Sequence, residues 1–109
     1  MHTVAIRRDV LAAHPWVAMN LYTAFEEAKR RSVARALDLA AARFPVPWVF
    51  ESAARAREVF GEDFWPYGLE ANRPTLEAFL RFAHEQGVCH RPVDPDELFP
   101  PEVRSRFRV

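Results

Sequence analysis

The chain has 109 residues, half of them apolar and 13% aromatic, with 15 basic and 15 acidic residues and a formal net charge of zero. This is enough for one domain, or part of one, with a genuine core, and it excludes a disordered chain. The neutral balance argues against a general binder of nucleic acid or of a membrane surface, which needs a basic excess; the single cysteine, Cys89, excludes an internal disulfide.

All but one of the basic residues are arginine; Lys29 is the exception. Arginine suits planar, bidentate contact with carboxylates. No apolar run approaches the ~18 residues of a membrane span. The opening Met-His-Thr-Val-Ala-Ile-Arg-Arg lacks the cationic leader and long apolar stretch of a signal peptide. The resulting expectation is a cytoplasmic protein.

In chain order, Thr3–Arg7 reads as a strand, because Thr, Val and Ile favour extended backbone and charge arrives only at its end. A short helical turn is expected at Asp9–Ala13, followed by His14-Pro15, with Pro15 suited to a first helical position. The longest helix is expected over 15–42, with Val17, Leu21, Ala24, Phe25 and Ala28 on its buried face and Glu26–Arg30 and Glu27–Arg31 as outer i,i+4 pairs. A second helix is expected over 47–60, with Trp48, Val49, Ala53, Ala56 and Phe60 sharing one face and Gly61 as its stop. Pro74 is expected to start a third helix, 74–86, with Leu76, Phe79, Leu80 and Ala83 buried, Glu77–Arg81 outside, and Gly87 ending it. The tail contains two single turns, one after Asp94-Pro95-Asp96-Glu97 and one from Pro100 to about Phe107. One strand without a partner cannot satisfy its hydrogen bonds. It therefore pairs with its copy in a homodimer, frays, or belongs to a sheet made elsewhere.

Between the second and third helices lies Gly61–Pro74, which the other segments flank. Phe64, Trp65 and Tyr67 place three rings within four residues, with Pro66 between them and Gly68 just after. The rings either plug a core or line a cleft that the polar groups of Tyr67, Glu70, Asn72 and Arg73 would face. His84 with Cys89-His90 lacks the paired spacing of a metal site. No Ser–His–Asp order, phosphate loop or zinc motif is present. His2, ahead of the expected strand, is the one histidine placed where it could face a cleft as an acid.

Met1-His2-Thr3-Val4, His14-Pro15-Trp16-Val17, Phe64-Trp65-Pro66-Tyr67-Gly68-Leu69-Glu70, Asn72-Arg73 and Asp96-Glu97-Leu98-Phe99 follow one another here as they do in another group of proteins. Together they resemble the C-terminal part of the 4,5-dihydroxyphthalate decarboxylase family, along essentially the whole chain. The Trp-Pro-Tyr-Gly-Leu-Glu segment is the specific element. The opening also resembles substrate-binding proteins of the nitrate/taurine/thiamine-precursor type. The resemblance implies the two-lobed α/β type II periplasmic-binding-protein fold. The expected fold class is thus mainly α with one N-terminal β-strand, residues 1–109 forming a single or partial domain at the C-terminal end of such a protein. Family members are considerably longer, so the chain is expected to be a fragment, inactive by itself.

The implied chemistry is non-oxidative decarboxylation of an aromatic dicarboxylate, with no cofactor or metal. It needs a cation to place the carboxylate and an acid to protonate the ring carbon. By residue type, His2 fits the acid, Arg7 or Arg73 the carboxylate clamp, and Trp65 and Tyr67 the walls, with Asn72 beside them. The expected partner is a small aromatic carboxylate, not nucleic acid or a membrane. The alternatives are a ligand-binding module of a transporter and a free-standing helical interaction protein.

Overall fold

The computed structural model describes residues 2–41 and 43–104. Its elements are α1 (Arg8–Ala13), α2 (Trp16–Ala36), α3 (Val49–Phe60), α4 (Leu69–Glu85), α5 (Pro95–Leu98) and a 3-10 turn at Pro101–Val103. The chain divides into two compact units, Met1–Tyr22 with Tyr67–Val109, and Thr23–Pro66. No helix among the described residues is long and apolar enough to cross a membrane.

The expected strand is not there. Residues 2–7 have no regular structure, and no strand occurs among the described residues. Arg7 keeps an extended backbone (φ −60°, ψ 140°) but serves as the N-cap of α1, its carbonyl accepting from the Leu11 N–H at 3.0 Å. Thr3, Val4 and Ile6 supply only a local preference, and extended backbone becomes a strand only when a neighbour completes its hydrogen bonds. The mainly-α expectation fits; the β-strand, and with it the α/β reading of this chain, is corrected.

Helix α4 organises the first unit. It begins at Leu69, more than a turn before the expected start, and carries Pro74 inside. Proline removes the N–H that the Glu70 carbonyl would accept. Local bonds hold the turn before it nonetheless. Leu69 is 2% exposed and its N–H donates to the Arg104 carbonyl at 3.2 Å. Asn72 Nδ2 donates to the Gly68 carbonyl at 2.9 Å. Gly68 takes φ +95° at the N-cap, backbone that a side chain rarely adopts, and a Cβ there would lie 3.4 Å from the Tyr22 hydroxyl. At the other end Val88 N–H bonds the Ala83 carbonyl at 2.8 Å and Gly87 N–H, at φ +73°, bonds that of His84 at 3.0 Å. This is the paired bonding of a Schellman stop, as Gly87 promised.

Leu69, Leu76, Leu80 and Ala83 are the buried residues of α4, on one stripe. Phe79, expected among them, is 55% exposed. At about 100° per residue Phe79 stands roughly 100° away from Leu80, so the rings of Phe79 and Phe82 lie beside the core stripe, outside it. Helix α5 packs on α4. Its Asp94 cap accepts from the Asp96 N–H at 2.8 Å, while Glu97 returns a bond to the Asp94 N–H at 3.1 Å, a complete capping box.

Helix α2 is also turned differently from its apolar pattern. Ala18 is buried and Tyr22, Glu26, Lys29 and Val33 are half-buried, whereas Leu21 and Phe25 are exposed. The covered stripe thus contains the chain's lone lysine and a carboxylate. The helix stops at Ala36, short of the expected 42. Asp38 is the cause: its side chain accepts from the Ala40 N–H at 3.0 Å, a local bond that competes with helical continuation. Ala42 and the end of the turn expected to reach Phe107 lie outside the described residues.

In the second unit α3 runs close to its expected span, with Ala53 buried and Gly61 ending it through an N–H bond to the Arg57 carbonyl at 2.9 Å. Trp48 and Phe60, expected on the same buried face, are exposed. Trp48 caps the helix at φ +61°, a left-handed conformation uncommon for a bulky side chain.

Candidate functional site

The proposed site residues lie on separate segments: His2 and Arg7 ahead of α1, Trp65 in the second unit, and Tyr67, Asn72 and Arg73 at the start of α4. His2 is exposed. Arg7 is exposed and faces its own neighbour: Nε and Nη2 donate to the two carboxylate oxygens of Asp9, at 3.0 and 2.6 Å. Trp65 is 62% exposed and belongs to the second unit. Tyr67 is half-buried just ahead of the α4 N-terminus, and Asn72 and Arg73 lie in its first turns.

Arg73 is the centre of the polar arrangement. Its Nη2 lies 2.8 Å from Glu70 Oε1, its Nε 3.3 Å from Glu70 Oε2, and its Nη1 3.0 Å from Asp96 Oδ2. Two carboxylates around one guanidinium raise its pKa further, the Glu70 hydrogen bond contributing most. Both carboxyls are held below their usual range, chiefly by that same arginine. Arg104 extends the network from the tail. Its Nε donates to the Phe99 carbonyl at 2.9 Å and its Nη2 to the Asp96 carbonyl at 2.6 Å. Beside them Arg91 grips Glu97 in a two-pronged pair at 3.2 and 2.7 Å, and the Glu97 carboxyl falls to about 2, with the Asp94 N–H as the second cause.

Chemically this network does two things. It ties α5 and the tail to the first turns of α4, and it holds the planar Arg73 guanidinium between Glu70 and Asp96. A side chain fixed by flanking carboxylates keeps its geometry when a further acceptor arrives, and guanidinium carries five N–H donors. Asn72 has already committed one donor to the Gly68 carbonyl.

The second unit has its own charged centre. Lys29, almost fully covered, reaches Glu26 Oε1 at 3.2 Å and Asp63 at 3.1 and 3.4 Å. It ties the aromatic loop, through Asp63, to α2. Elsewhere on α2, Glu27 accepts from Arg30 at 2.8 Å and Arg31 at 2.6 Å, and its carboxyl drops to about 2.

Asp96, Arg104 and Lys29 are the participants that residue-by-residue reading missed. Asp96 stood in a visible capping sequence, and Lys29 stood out as the lone lysine. Arg104 carried no signal of its own, because it bonds backbone carbonyls, those of Asp96 and Phe99, which any residue type supplies. His84, weighed with Cys89 and His90, has Nδ1 3.3 Å from the Cys89 carbonyl. Among the described residues no group of three or more His, Cys, Asp or Glu gathers as a metal site.

No protein-family model matches the chain. One curated protein does align along all of it: the 4,5-dihydroxyphthalate decarboxylase of Comamonas testosteroni is 33% identical over 109 residues, the full length of this chain. The chain is distantly related to that decarboxylase. It spans about a third of the decarboxylase's length. The aligned region covers all 109 residues of this chain, the positions of the Arg73 network and of Lys29 included.

Proposed function

We propose that the chain supplies the C-terminal part of a carboxy-lyase that decarboxylates an aromatic dicarboxylate without oxidation. The observation that supports this is the end-to-end match to a 4,5-dihydroxyphthalate decarboxylase. In the reaction the bond from ring carbon to carboxylate breaks, CO2 leaves, and the electron pair on the ring carbon takes a proton from an acid. The protein must fix one carboxylate, exclude water and hold that acid in reach.

In this reading Arg73, oriented by Glu70 and Asp96, is the carboxylate clamp, with Asn72 beside it. Tyr67 and Trp65 provide ring contacts, Arg7 exchanges Asp9 for substrate, and His2 is the proton donor. These groups need the walls of a cleft around them. The chain alone is therefore expected to release no CO2 from 4,5-dihydroxyphthalate.

The test is a chimera in which this chain replaces the matching third of the Comamonas testosteroni enzyme. The expected result is CO2 release from 4,5-dihydroxyphthalate that His2→Ala and Arg73→Met each reduce at least tenfold. A folded chimera without turnover would overturn the reading. Turnover by the 109-residue chain alone, lost on His2→Ala, would show instead that this chain builds a complete site.

A further inference from the structure

Helix α2 exposes Leu21 and Phe25 while its covered stripe holds Lys29 and Glu26. Lys29 is the deeper of the two charged groups, its side chain 9% exposed, with Glu26 Oε2 and Asp63 Oδ1 each 3.1 Å from Nζ. Stability alone is a weak reason for this arrangement. Taking charges out of water is costly, and well-packed apolar residues in place of a buried ion pair are often as stable or more so. Apolar residues stand on the same helix and face outward. What the charges supply is direction: an ammonium between two carboxylates fixes where Asp63 sits.

Asp63 belongs to a segment with little else in its own backbone to shape it. Residues 61–66 contain no helix or strand. Trp65 follows Asp63 by two residues and is 62% exposed, so packing covers too little of its ring to fix its orientation. Lys29, Glu26, Asp63 and Trp65 all belong to the second unit. Lysine is the cation suited to the task. Its ammonium is compact and its three donors rotate towards carboxylates on different sides, where a guanidinium is larger and fixed in its planar fork. The chain uses arginine for every other basic residue.

We propose that Lys29 is a positioning residue for the aromatic substrate. Through Asp63 it anchors the loop to α2, and so holds Trp65 in the orientation in which its ring meets the substrate ring. This rests on the proposed function, which makes Trp65 a ring contact. Lys29 itself touches no substrate and takes no part in the proton transfer; its effect reaches the reaction through Trp65.

The experiment cuts the anchor from its loop end in the chimera described above. Asp63→Ala leaves Lys29 with Glu26, so it strands no lone buried charge. It is expected to raise KM for 4,5-dihydroxyphthalate about three- to tenfold, the size of one aromatic contact, and to change kcat by less than about twofold. With Trp65→Ala already present, Asp63→Ala should add less than about twofold to KM. Lys29→Met should follow the same pattern. A merely structural role would give equal effects with and without Trp65, and that result, or a fall in kcat at unchanged KM, would overturn the proposal. A second reading needs no turnover. In the 109-residue chain with Trp16→Phe and Trp48→Phe, Trp65 is the one fluorophore of its kind, and Asp63→Ala should lower its fluorescence anisotropy well below the thermal midpoint. Unchanged anisotropy would overturn the proposal. A folded chimera without turnover, together with lowered anisotropy, would remove the proposed chemistry and retain Lys29 as the anchor of Trp65.

Discussion

Leu80→Ala and Phe79→Ala, neighbours in sequence, should behave very differently. Leu80 is 7% exposed and belongs to a stripe that supplies four of the six buried hydrophobic residues among the described residues. Truncating a buried leucine costs about 2–5 kcal/mol, the lower part of the range applying where neighbours can close in. With so small a core some collapse is expected, so about 2–3 kcal/mol is the working figure for Leu80→Ala. Phe79 keeps less than half of its surface covered. Burying a phenylalanine fully is worth roughly 1.5–3 kcal/mol, so Phe79→Ala should cost about 1 kcal/mol or less. Urea unfolding followed by circular dichroism resolves the two. With a slope of about 1–2 kcal/mol per molar, Leu80→Ala should lower the midpoint by more than about 1 M and Phe79→Ala by well under that. A larger shift for Phe79→Ala than for Leu80→Ala would refute the assignment of the α4 faces.

Two more predictions concern the first unit. Glu97, paired with Arg91, should titrate at about 2 where an ordinary glutamate titrates near 4.5. Its folded pKa is depressed, so its stabilising contribution is full above the ordinary value and is lost as pH falls through 4.5 towards 2; carbon-detected NMR of the carboxyl reads the midpoint, and a value near 4.5 would refute the pairing. Gly68→Ala forces a Cβ onto backbone at φ +95°, ψ 157°, a region open essentially to glycine alone, and should destabilise by about 1–3 kcal/mol; an unchanged urea midpoint would mean that the N-cap of α4 is not built as described.

The punctuation of the fold was legible in the sequence. Gly61 and Gly87 end α3 and α4 where expected, and Asp94-Pro95-Asp96-Glu97 forms its capping box. Each is a local device whose meaning does not depend on the rest of the protein. The facing of the helices was legible in part: Ala53, Leu76, Leu80 and Ala83 are buried as expected, whereas Leu21, Phe25, Trp48, Phe60 and Phe79 are exposed. Apolar spacing identifies a face that avoids water, and both α2 and α4 have more apolar residues than this chain covers. Which face is buried is decided by contacts distant in sequence, and those put Lys29 inside and Phe25 outside. The strand at Thr3–Arg7 failed for a related reason: β propensity is local, but a ladder requires a second strand. Within the candidate site, Arg73 was legible as an arginine near aromatics. Its orientation by Asp96 was not, because that partner comes from a turn more than twenty residues downstream.

The most direct measurement is turnover of 4,5-dihydroxyphthalate by the chimera carrying this chain in place of the matching third of the Comamonas testosteroni decarboxylase. The account predicts CO2 release that falls at least tenfold with Arg73→Met, whereas an exposed control such as Arg55→Met leaves it unchanged. A chimera that folds with the midpoint of its parent and releases no CO2 would contradict it.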